Sequence, residues 1–482
     1  MNNNTLILLA IFIPLLGSLI LPLLGCISCR MRNLAALIMV LTSLVCATLM
    51  MPSVLAGEHS KITLIFPLGF NFVLVADMLS IFMAIVSSLT GAIIVFYSFD
   101  YISHYENQNE YYLMVVMFLG SMMGIIFSAN LILLYVFWEL TALTSWRLIG
   151  FFREKNHVLK ADKSFLVTVF GAVVMLVGFV MIYQQTGSFD YDVIKEKLTA
   201  TNPLSSIAVI FILFGILSKS ATLPLHTWLP DAGVAPSPVT ALLHAAVLVK
   251  IGVYVYARLF ISTFTVDEVW HTIIPFIAAV SALVSAGAAL IETDMKRIIA
   301  YSTVSQIAFI FLGLAVGGEL AITGGLLYIL MHGLAKGGLF LCAGIVEQNT
   351  KVKDITKLGG LIHTMPVTAI SFLLCAFSVM GIPPFGGFFS KYMVITGAVG
   401  SGQLFIAFTF IFGAFLTLIY LFRLFTMIFM GEVKTPSKGE NSPIMLTSVA
   451  MLAVLSLISG LYINYIAGPV QNTAQQMLGM IK

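Results

Sequence analysis

Residues 218–254 read SKSATLPLHTWLPDAGVAPSPVTALLHAAVLVKIGVY, and this stretch decides the fold. It holds two strongly apolar segments that nevertheless carry basic side chains. Lys219 stands five residues before Pro224, where the missing proline N–H is expected to break a helix. His244 and Lys250 follow on the next apolar segment. The stretch therefore predicts paired membrane helices, one of them broken, with polar groups kept inside.

The rest of the chain has the same apolar character. Apolar residues make up 60% of the 482 positions and charged residues only 9%, against roughly 25% charged residues in a soluble domain. A helix of about 20 apolar residues crosses the ~30 Å hydrocarbon core of a bilayer. Hydropathy thus predicts an all-α polytopic membrane protein with about fourteen transmembrane helices, at 5–25, 33–51, 74–97, 111–128, 130–151, 165–184, 205–229, 237–257, 271–290, 298–315, 320–346, 366–392, 403–430 and 443–467.

Other classes of protein are disfavoured by the same composition. Apolar runs such as 445–461 do not alternate as the strands of a membrane barrel do. The net charge of +3 is small and scattered, and no nucleic-acid partner is expected. Cys26 and Cys29 form a lone Cys-x-x-Cys motif, so we expect neither a metal site nor a cofactor. The N-terminus lacks a basic leader region and is expected to be a retained first helix.

Lysine and arginine are shared unevenly between the predicted loops. The odd-numbered loops contain thirteen Lys or Arg residues, and the even-numbered loops contain four. By the positive-inside rule the odd loops are cytoplasmic, and an even number of helices then puts both termini outside. No linker separates a second domain, so residues 1–482 are expected to be one membrane domain, placed in the inner (plasma) membrane.

Two of the predicted helices are interrupted by proline. Pro224 interrupts 205–229, and Pro383 with Pro384 interrupts 366–392. Broken helices in corresponding positions of two halves are typical of transport sites built from inverted repeats.

Ionisable side chains near helix centres mark a polar interior. Each would cost about 2.5–3.5 kcal/mol if it faced lipid alone, so these groups must meet water or one another. Snorkelling from a helix end and a purely structural ion pair are the alternatives. The groups are Glu139, Lys219, Lys250, Lys336 and Lys391.

Glu139 and Lys219 are predicted to form the first part of an ion path. An ionised Glu139 in LLYVFWELTAL requires a cation or water. The break at Pro224 is expected to free the carbonyl of Ser220 beside the Lys219 amine. A lysine in such a field can lose and regain a proton as a carboxylate approaches or retreats.

The second group of bases can extend that path. A histidine titrates near neutral pH, so His244 can pass protons to Lys250, although a packing role is equally open for His244. His332 and Lys336 stand four residues apart and share a helix face. Lys391 follows the second break and can serve as an outlet, with snorkelling as its alternative.

Several charged residues near helix ends are expected to have structural roles. Arg147 and Arg423 are predicted to snorkel, and Asp77 to anchor a helix at the interface. A short turn after residue 290 is expected to be held by local pairing among Asp294, Lys296 and Arg297.

The motifs together resemble a known family. Residues 218–254, TDMKRIIAYSTVSQIAF at 293–309, HGLAKGGLFLCAG at 332–344 and GIPPFGGFFSKY at 381–392 occur in order. They are similar to the antiporter-like proton-pumping subunits of respiratory complex I. The large membrane subunits of multisubunit Na+/H+ (Mrp) antiporters and of membrane-bound hydrogenases belong to the same family. The resemblance extends over roughly residues 70–430.

This resemblance implies a fold and a division of roles. It implies two inverted five-helix repeats, at 111–257 and 271–430. It implies a switch formed by Glu139 and Lys219 and a terminal lysine at position 391. The relay between them is implied to run through His244, Lys250, His332 and Lys336. It further implies other membrane subunits as partners, including homologous ones, in a lipid bilayer. Protons are the expected cargo, with Na+ left open, and the chain would be an enzyme only within a redox-driven complex.

Two other functions stay open. One is a quinone-interacting redox subunit, although no haem, Fe–S or flavin motif is found in the sequence. The other is a scaffold subunit whose charges only fix helix register. Arg147, in WELTALTSWRLIGF, stands where the family pattern is usually apolar, which leaves the surroundings of Glu139 open.

Overall fold

Apolar helices form most of the molecule. The computed structural model describes residues 2–65, 71–440 and 442–481. Within these residues, twelve helical segments are long and apolar enough to cross a membrane, and two shorter apolar helices, Ser206–Lys219 and Pro366–Met380, accompany them. The prediction of a helical multi-pass membrane protein is therefore confirmed. The number fourteen and the two inverted repeats stay predictions.

The helices are numbered in chain order over the described residues. The first group is α1 (Asn3–Gly17), α2 (Leu21–Ile27), α3 (Cys29–Leu55), α4 (Met78–Tyr101), α5 (Gln108–Phe127), α6 (Leu131–Ile149), α7 (Lys155–Thr186), α8 (Tyr191–Lys197), α9 (Ser206–Lys219) and α10 (Trp228–Asp231). The second group is α11 (Ser237–Ala241), α12 (Leu248–Tyr256), α13 (Trp270–Ile291), α14 (Met295–Ala315), α15 (Glu319–Thr350), α16 (Pro366–Met380), α17 (Gly386–Gly400), α18 (Leu404–Phe429), α19 (Pro443–Leu461) and α20 (Ile463–Met477). One π-helical turn, Leu242–Ala246, joins α11 to α12, and another, Ala257–Ile261, follows α12.

A two-stranded hairpin is the element that the all-α prediction missed. β1 (Ser60–Ile65) and β2 (Asn71–Ala76) pair antiparallel and are rich in Ile, Val and Thr, which favour extended backbone. The predicted helix 74–97 therefore starts too early. Helix α4 begins only after Asp77, because Asp77 and Ser80 form a capping box that fixes the first turn.

Other predicted boundaries shift by up to a few turns. Helix α7 begins at Lys155 rather than 165, so lysines assigned to a loop lie in its first turns. The predicted span 443–467 is divided at Tyr462 into α19 and α20. These shifts leave the order of the helices unchanged.

Both predicted breaks are present, with similar construction. Helix α9 ends at Lys219, and the chain turns through Ala221, with φ of 51°, before a cis peptide bond at Leu223–Pro224. Helix α16 ends before Gly381, with φ of 81°, and a cis bond joins Pro383 to Pro384. The first helix therefore ends earlier than the proline alone predicted, because the turn starts at Ser220.

The deepest part of the core lies around α11, α12, α14 and α15. Nearly every side chain on these helices is buried. Helices α3, α7 and α18 instead expose rows of Leu, Ile, Val and Phe, as helices that face lipid do. Glycines such as Gly171 let neighbouring helices approach closely, since a Cβ there would collide with the Ser218 side chain. Polar groups on the central helices are thereby shielded from lipid.

Candidate functional site

The four lysines predicted to carry charge inside the membrane are buried within the chain. Lys219, Lys250 and Lys336 are 0% exposed and Lys391 is 4% exposed. A buried ammonium requires hydrogen-bond acceptors in place of water. Among the described residues, none of these four lysines forms an ion pair, so their acceptors are neutral groups.

Lys219 lies against α6 and contacts Trp138, the residue that precedes Glu139 in the sequence. Its Nζ donates to the carbonyl of Trp138 at 3.2 Å and lies 5.4 Å from the centroid of the Trp138 ring. The charges of Glu139 and Lys219 act on each other. The freed carbonyl of Ser220 beside this amine stays a prediction, and the acceptor of the Lys219 amine is the carbonyl of Trp138 on α6.

Glu139 differs from the lysines in being only half-buried. Tyr135, one turn earlier on α6, lies near its carboxylate. The Oε1 atom is buried and has no hydrogen-bond partner within the described residues. Val136 and Leu143 on the same helix are exposed. Glu139 therefore lies near an outer face of this chain, in the middle of a membrane helix.

A π-helical turn positions Lys250. The wider turn at Leu242–Ala246 leaves the carbonyl of Ala245 available, and Lys250 Nζ donates to it. The ammonium also packs against α15 at Gly333, where a Cβ would collide with Nζ. π-Helical turns of this kind often occur at functional sites. Lys250 thus lies against the residue that directly follows His332 on α15.

The two histidines complete a central cluster. The ring of His244 packs on Phe340, with 4.4 Å between centroids. In the part of the chain that the structure describes, neither ring nitrogen of His244 or His332 has a hydrogen-bond partner. The charges that act on His332 come from Lys250, Lys336, His244 and Lys391. The structure therefore brings the bases of α11–α12, α15 and α17 into one electrostatic group.

Lys336 and Lys391 lie at the far side of this cluster. Lys336 Nζ donates to Ser302 Oγ at 2.5 Å and to the carbonyl of Ile299 at 3.2 Å. Lys391 Nζ donates at 2.7 Å to the carbonyl of Val379, which the second helix break sets free. Snorkelling does not describe Lys391, because its side chain points into the protein.

The predicted groups do not form one uninterrupted chain of contacts. Among the described residues, no hydrogen bond or ion pair joins Lys219 to His244 or Lys250. The site consists of a Glu139–Lys219 pair at one side and the central cluster at the other. Between them α9 packs against α12, where a Cβ on Gly252 would collide with Ser220.

Sequence reasoning missed a set of polar side chains on α14, α15 and α18. Their members are hydrogen-bonded to one another and wholly or almost wholly buried: Ser302, Gln306, Tyr328, Thr417 and Tyr420. The sequence did contain a signal for these residues. Ser302 and Gln306 stand four residues apart, as do Tyr328 and His332, and residues at this spacing share one face of a helix. Neutral polar residues in apolar helices give a weaker signal than charged ones, because the cost of placing them in a membrane is smaller.

Three ion pairs flank the site, and two of them correct the sequence-based expectations. Arg147 pairs with Glu110 rather than snorkelling. Lys296 pairs with Glu347 at 2.5 Å, a long-range contact rather than a local one within the turn.

Asp77 is more than an interfacial anchor, since it pairs with Arg258 at the start of α4. Burial raises the pKa of Asp77, but the charge of Arg258 and hydrogen bonds outweigh burial and lower it to about 2. The described residues contain no group of three or more His, Cys, Asp or Glu side chains that could hold a metal ion.

Known proteins are similar to this chain in sequence and in fold. The family described as NADH:quinone oxidoreductase/Mrp antiporter, transmembrane, matches residues 128–417. A Na(+)/H(+) antiporter subunit of Alkalihalophilus pseudofirmus is 37% identical over 442 residues, which are 85% of this chain and 55% of that protein. Another Na(+)/H(+) antiporter subunit, from Staphylococcus saprophyticus, is 34% identical over 441 residues, again 85% of this chain and 55% of the relative. The chain thus spans about half the length of these relatives.

Two solved structures have the same fold. A chain in the structure of the Mrp complex from Dietzia sp. superposes with a TM-score of 0.91 at 23% identity, covering 98% of both chains. A chain of the membrane-bound sulfane sulfur reductase, an archaeal respiratory membrane complex, gives 0.87 at 23% identity, covering 98% of this chain and 97% of that one. At this identity the likeness concerns the fold alone. The family match covers more than half of the chain, and the protein belongs to the NADH:quinone oxidoreductase/Mrp antiporter transmembrane family.

Proposed function

We propose that this chain is a proton-translocating, antiporter-like membrane subunit of a multisubunit cation/proton antiporter or a related redox-driven pump. One observation carries the proposal: four lysines are buried in apolar helices, and their ammonium groups meet only neutral acceptors. Each such charge costs about 2.5–3.5 kcal/mol in a membrane helix. A lysine held in this way releases its proton readily and takes it back when a negative charge or water approaches.

The kind of ion follows from the chemistry of these groups. Alkali and alkaline-earth cations are bound by oxygen ligands such as carboxylates and carbonyls. Ammonium and imidazolium groups repel such cations but can carry a proton on nitrogen. We therefore assign protons to this path and leave Na+ movement to another part of the assembly. The residues of the path are Glu139, Lys219, His244, Lys250, His332, Lys336 and Lys391.

The helix breaks supply the moving parts in this proposal. Lys219 ends α9 at the first break, and Lys391 binds a carbonyl of the second break. A small rotation about either break changes the distance between an ammonium and its acceptor. We propose that residues 111–257 and 271–430 are the two inverted repeats that carry one break each, as broken helices in other transporters do.

Partner subunits are part of the proposal because Glu139 is half-buried at mid-membrane. A carboxylate facing lipid would be strongly unfavourable, so another membrane protein is expected to cover this face. The names of the relatives, subunits of Na(+)/H(+) antiporters, fit such an assembly. We further propose a plasma-membrane location, with the lysine-rich odd-numbered loops in the cytoplasm and both ends of this chain outside.

Exchange in membrane vesicles tests the proposal. The chain is expressed with its neighbouring subunits in a host that lacks its own Na+/H+ antiporters, and Na+-dependent collapse of a pH gradient is followed by a fluorescent amine. Lys219→Ala is expected to abolish exchange while the complex assembles normally. Lys195→Ala, at an exposed lysine of α8, is the matched control. Unchanged exchange in Lys219→Ala vesicles contradicts the proposal.

A further inference from the structure

Helix α20 is fastened at its C-terminal end to two other helices. The side chain of Gln476 accepts a hydrogen bond at 3.1 Å from the backbone N–H of Met78, the first residue of α4. Gln471 and Gln475 donate to the carboxylate of Glu319, in the first turn of α15. Three amides of α20 therefore hold its end beside the N-terminal ends of α4 and α15.

An apolar cavity lies between α20 and its neighbours. Its volume is about 320 Å³, and its walls come from α3, α4, α15 and α20. Among the described residues that line it, all but Thr48, Tyr465 and Thr473 have apolar side chains. Thr48 on α3 and Tyr465 on α20 are exposed. The cavity is therefore open to the outside of the chain, between α3 and α20, at the level of the membrane helices.

The cavity is elongated along these helices. On α20 its lining runs from Tyr465 to Thr473, about 12 Å at 1.5 Å per residue. On α4 it runs from Met78 to Val86, which is the same number of residues. A cavity of this shape matches an extended acyl chain better than a compact ligand.

A polar cavity follows where the apolar one ends. Its volume is about 370 Å³, and its lining on α20 begins at Gln476, about one turn after Thr473. His59 and Lys61 line it as well. Lys61 Nζ donates to Asp192, and an ammonium group has three N–H bonds, so others can reach an acceptor such as a phosphate. An apolar stretch followed by hydrogen-bond donors matches the two parts of a phospholipid.

We propose that the groove between α3, α4 and α20 holds one phospholipid, with an acyl chain in the apolar cavity and its phosphate beside His59 and Lys61. An empty cavity would deprive the surrounding side chains of dispersion contacts. Water does not restore them, because apolar cavities of ~150 Å³ stay dry and accept apolar molecules instead. The acyl chain is the apolar molecule that a membrane supplies at such an opening.

A side chain of a partner subunit is the alternative occupant. Such a side chain could fill the apolar cavity, but it would leave the donors of the polar cavity without an acceptor. The helix beside the opening, α3, also carries a row of exposed apolar side chains, Leu41, Val45 and Leu49. Both observations favour a lipid.

The acyl chain would also contact α15. Leu330 lines the cavity, two residues before His332, and it is only half-buried. The residues around it on α15 are buried. A lipid in the cavity therefore supports the turn of α15 that leads to His332, and Leu330 is the position at which α15 would report its presence.

Bulky side chains that plug the cavity test the inference. The complex of this chain with its neighbouring subunits is purified in detergent and washed until its phospholipid content is constant. Ile85→Trp on α4 and Thr48→Trp on α3 fill the cavity from different walls, and each is expected to retain one phospholipid fewer per complex than the wild type. Ile411→Trp, at an exposed position of α18, is the matched control and is expected to retain the wild-type number. Equal phospholipid contents in the wild type and in a plugged variant that assembles overturn the inference.

A photoreactive lipid gives the position of the acyl chain. Phosphatidylglycerol with a diazirine at the end of one acyl chain is mixed into vesicles that contain the wild-type complex, and labelled residues are mapped after illumination. Label is expected at Leu330 and on the exposed side chains of α18. Ile85→Trp is expected to lose the label at Leu330 and to keep that on α18.

Two results of this labelling overturn the inference. Label on α18 without label at Leu330 in the wild type would show that something other than lipid fills the groove. Label at Leu330 that persists in Ile85→Trp and Thr48→Trp would show that the lipid does not enter through this cavity. Neither measurement uses ion exchange, so the proposed function is tested separately by Lys219→Ala.

Discussion

The two helix breaks hold their lysines in opposite kinds of environment. At the first break, Lys219 lies beside a carboxylate, Glu139, which is half-buried at an outer face. At the second break, Lys391 is enclosed by the rings of Phe309 and Tyr328 and bonds to the carbonyl of Val379. Similar backbone breaks therefore serve one lysine beside a carboxylate and another that lies among aromatic rings and other bases.

The difference indicates how the two ends can act. A lysine near a partly open carboxylate responds to whatever covers that carboxylate, so the first end is suited to receive a signal from a neighbouring subunit. An enclosed lysine can exchange its proton only with groups inside the chain.

The largest effect is expected from Lys391→Met. The change removes a proton carrier, so Na+-dependent exchange is expected to fall by ~100-fold or more. It also removes a buried charge that has no ion-pair partner, so the melting temperature of the complex is expected to stay equal or rise. Lys434→Met, at an exposed lysine, is the control. A lower melting temperature with normal exchange would mean that Lys391 is structural.

A smaller effect is expected at the first break from Glu139→Gln. The amide keeps the shape of the carboxylate but not its charge, so Lys219 loses its negative neighbour and exchange falls by roughly tenfold. Thermal melting of the complex is expected to change little, because the carboxylate forms no ion pair within the described residues. A scaffold role predicts the reverse, with melting changed more than exchange.

Backbone geometry at the second break gives a third prediction. Gly381 has a φ of 81°, and a Cβ there would lie 3.1 Å from Cδ of Lys391. Gly381→Ala is expected to reduce the free energy of unfolding by about 1–2 kcal/mol. Gly400→Ala adds a Cβ in open space at the end of α17, and no loss is expected there. Equal melting temperatures for the two variants would contradict this assignment of strain.

The smallest effect concerns pH and Asp77, which precedes helix α4 and pairs with Arg258 near the end of the span Ser237–Ile261. Asp77 has its pKa lowered from 3.8 to about 2 beside Arg258. A lowered pKa means that the ionised form stabilises the fold above the unfolded value and loses this contribution as pH falls through the folded value. The difference in melting temperature between wild type and Asp77→Asn is expected to stay constant from about pH 7 to about pH 5. A difference that disappears in this range would show that the pKa of Asp77 is raised rather than lowered in the folded protein.

Much of the fold was predictable from the sequence because lipid leaves few choices. Apolar segments of sufficient length must be helices, and Pro224, Pro383 and Pro384 cannot continue them. Most of the hairpin fell in a predicted loop, and only its last residues, 74–76, were included in the span 74–97, because they are apolar and only the Asp77–Ser80 capping box marks where α4 begins. The early end of α9 was missed because proline fixes only the latest point at which a helix stops.

The site was predictable in its charges but not in its contacts. Burial of a lysine follows from its place in an apolar helix, whereas its acceptor depends on which helix lies opposite. Trp138 could not be identified as the acceptor for Lys219 without knowing how α6 and α9 pack. Gln306 and Tyr420 are far apart in sequence and neutral, so spacing alone does not relate them.

The central claim is that the two ends work as one path through the middle of the chain. Lys336→Met leaves Glu139, Lys219 and Lys391 in place but removes the base between them. Na+-dependent collapse of a pH gradient in vesicles, measured on complexes that assemble normally, tests the claim most directly. No exchange is expected with this variant. Exchange close to the wild-type rate would contradict it, because the two ends would then act independently.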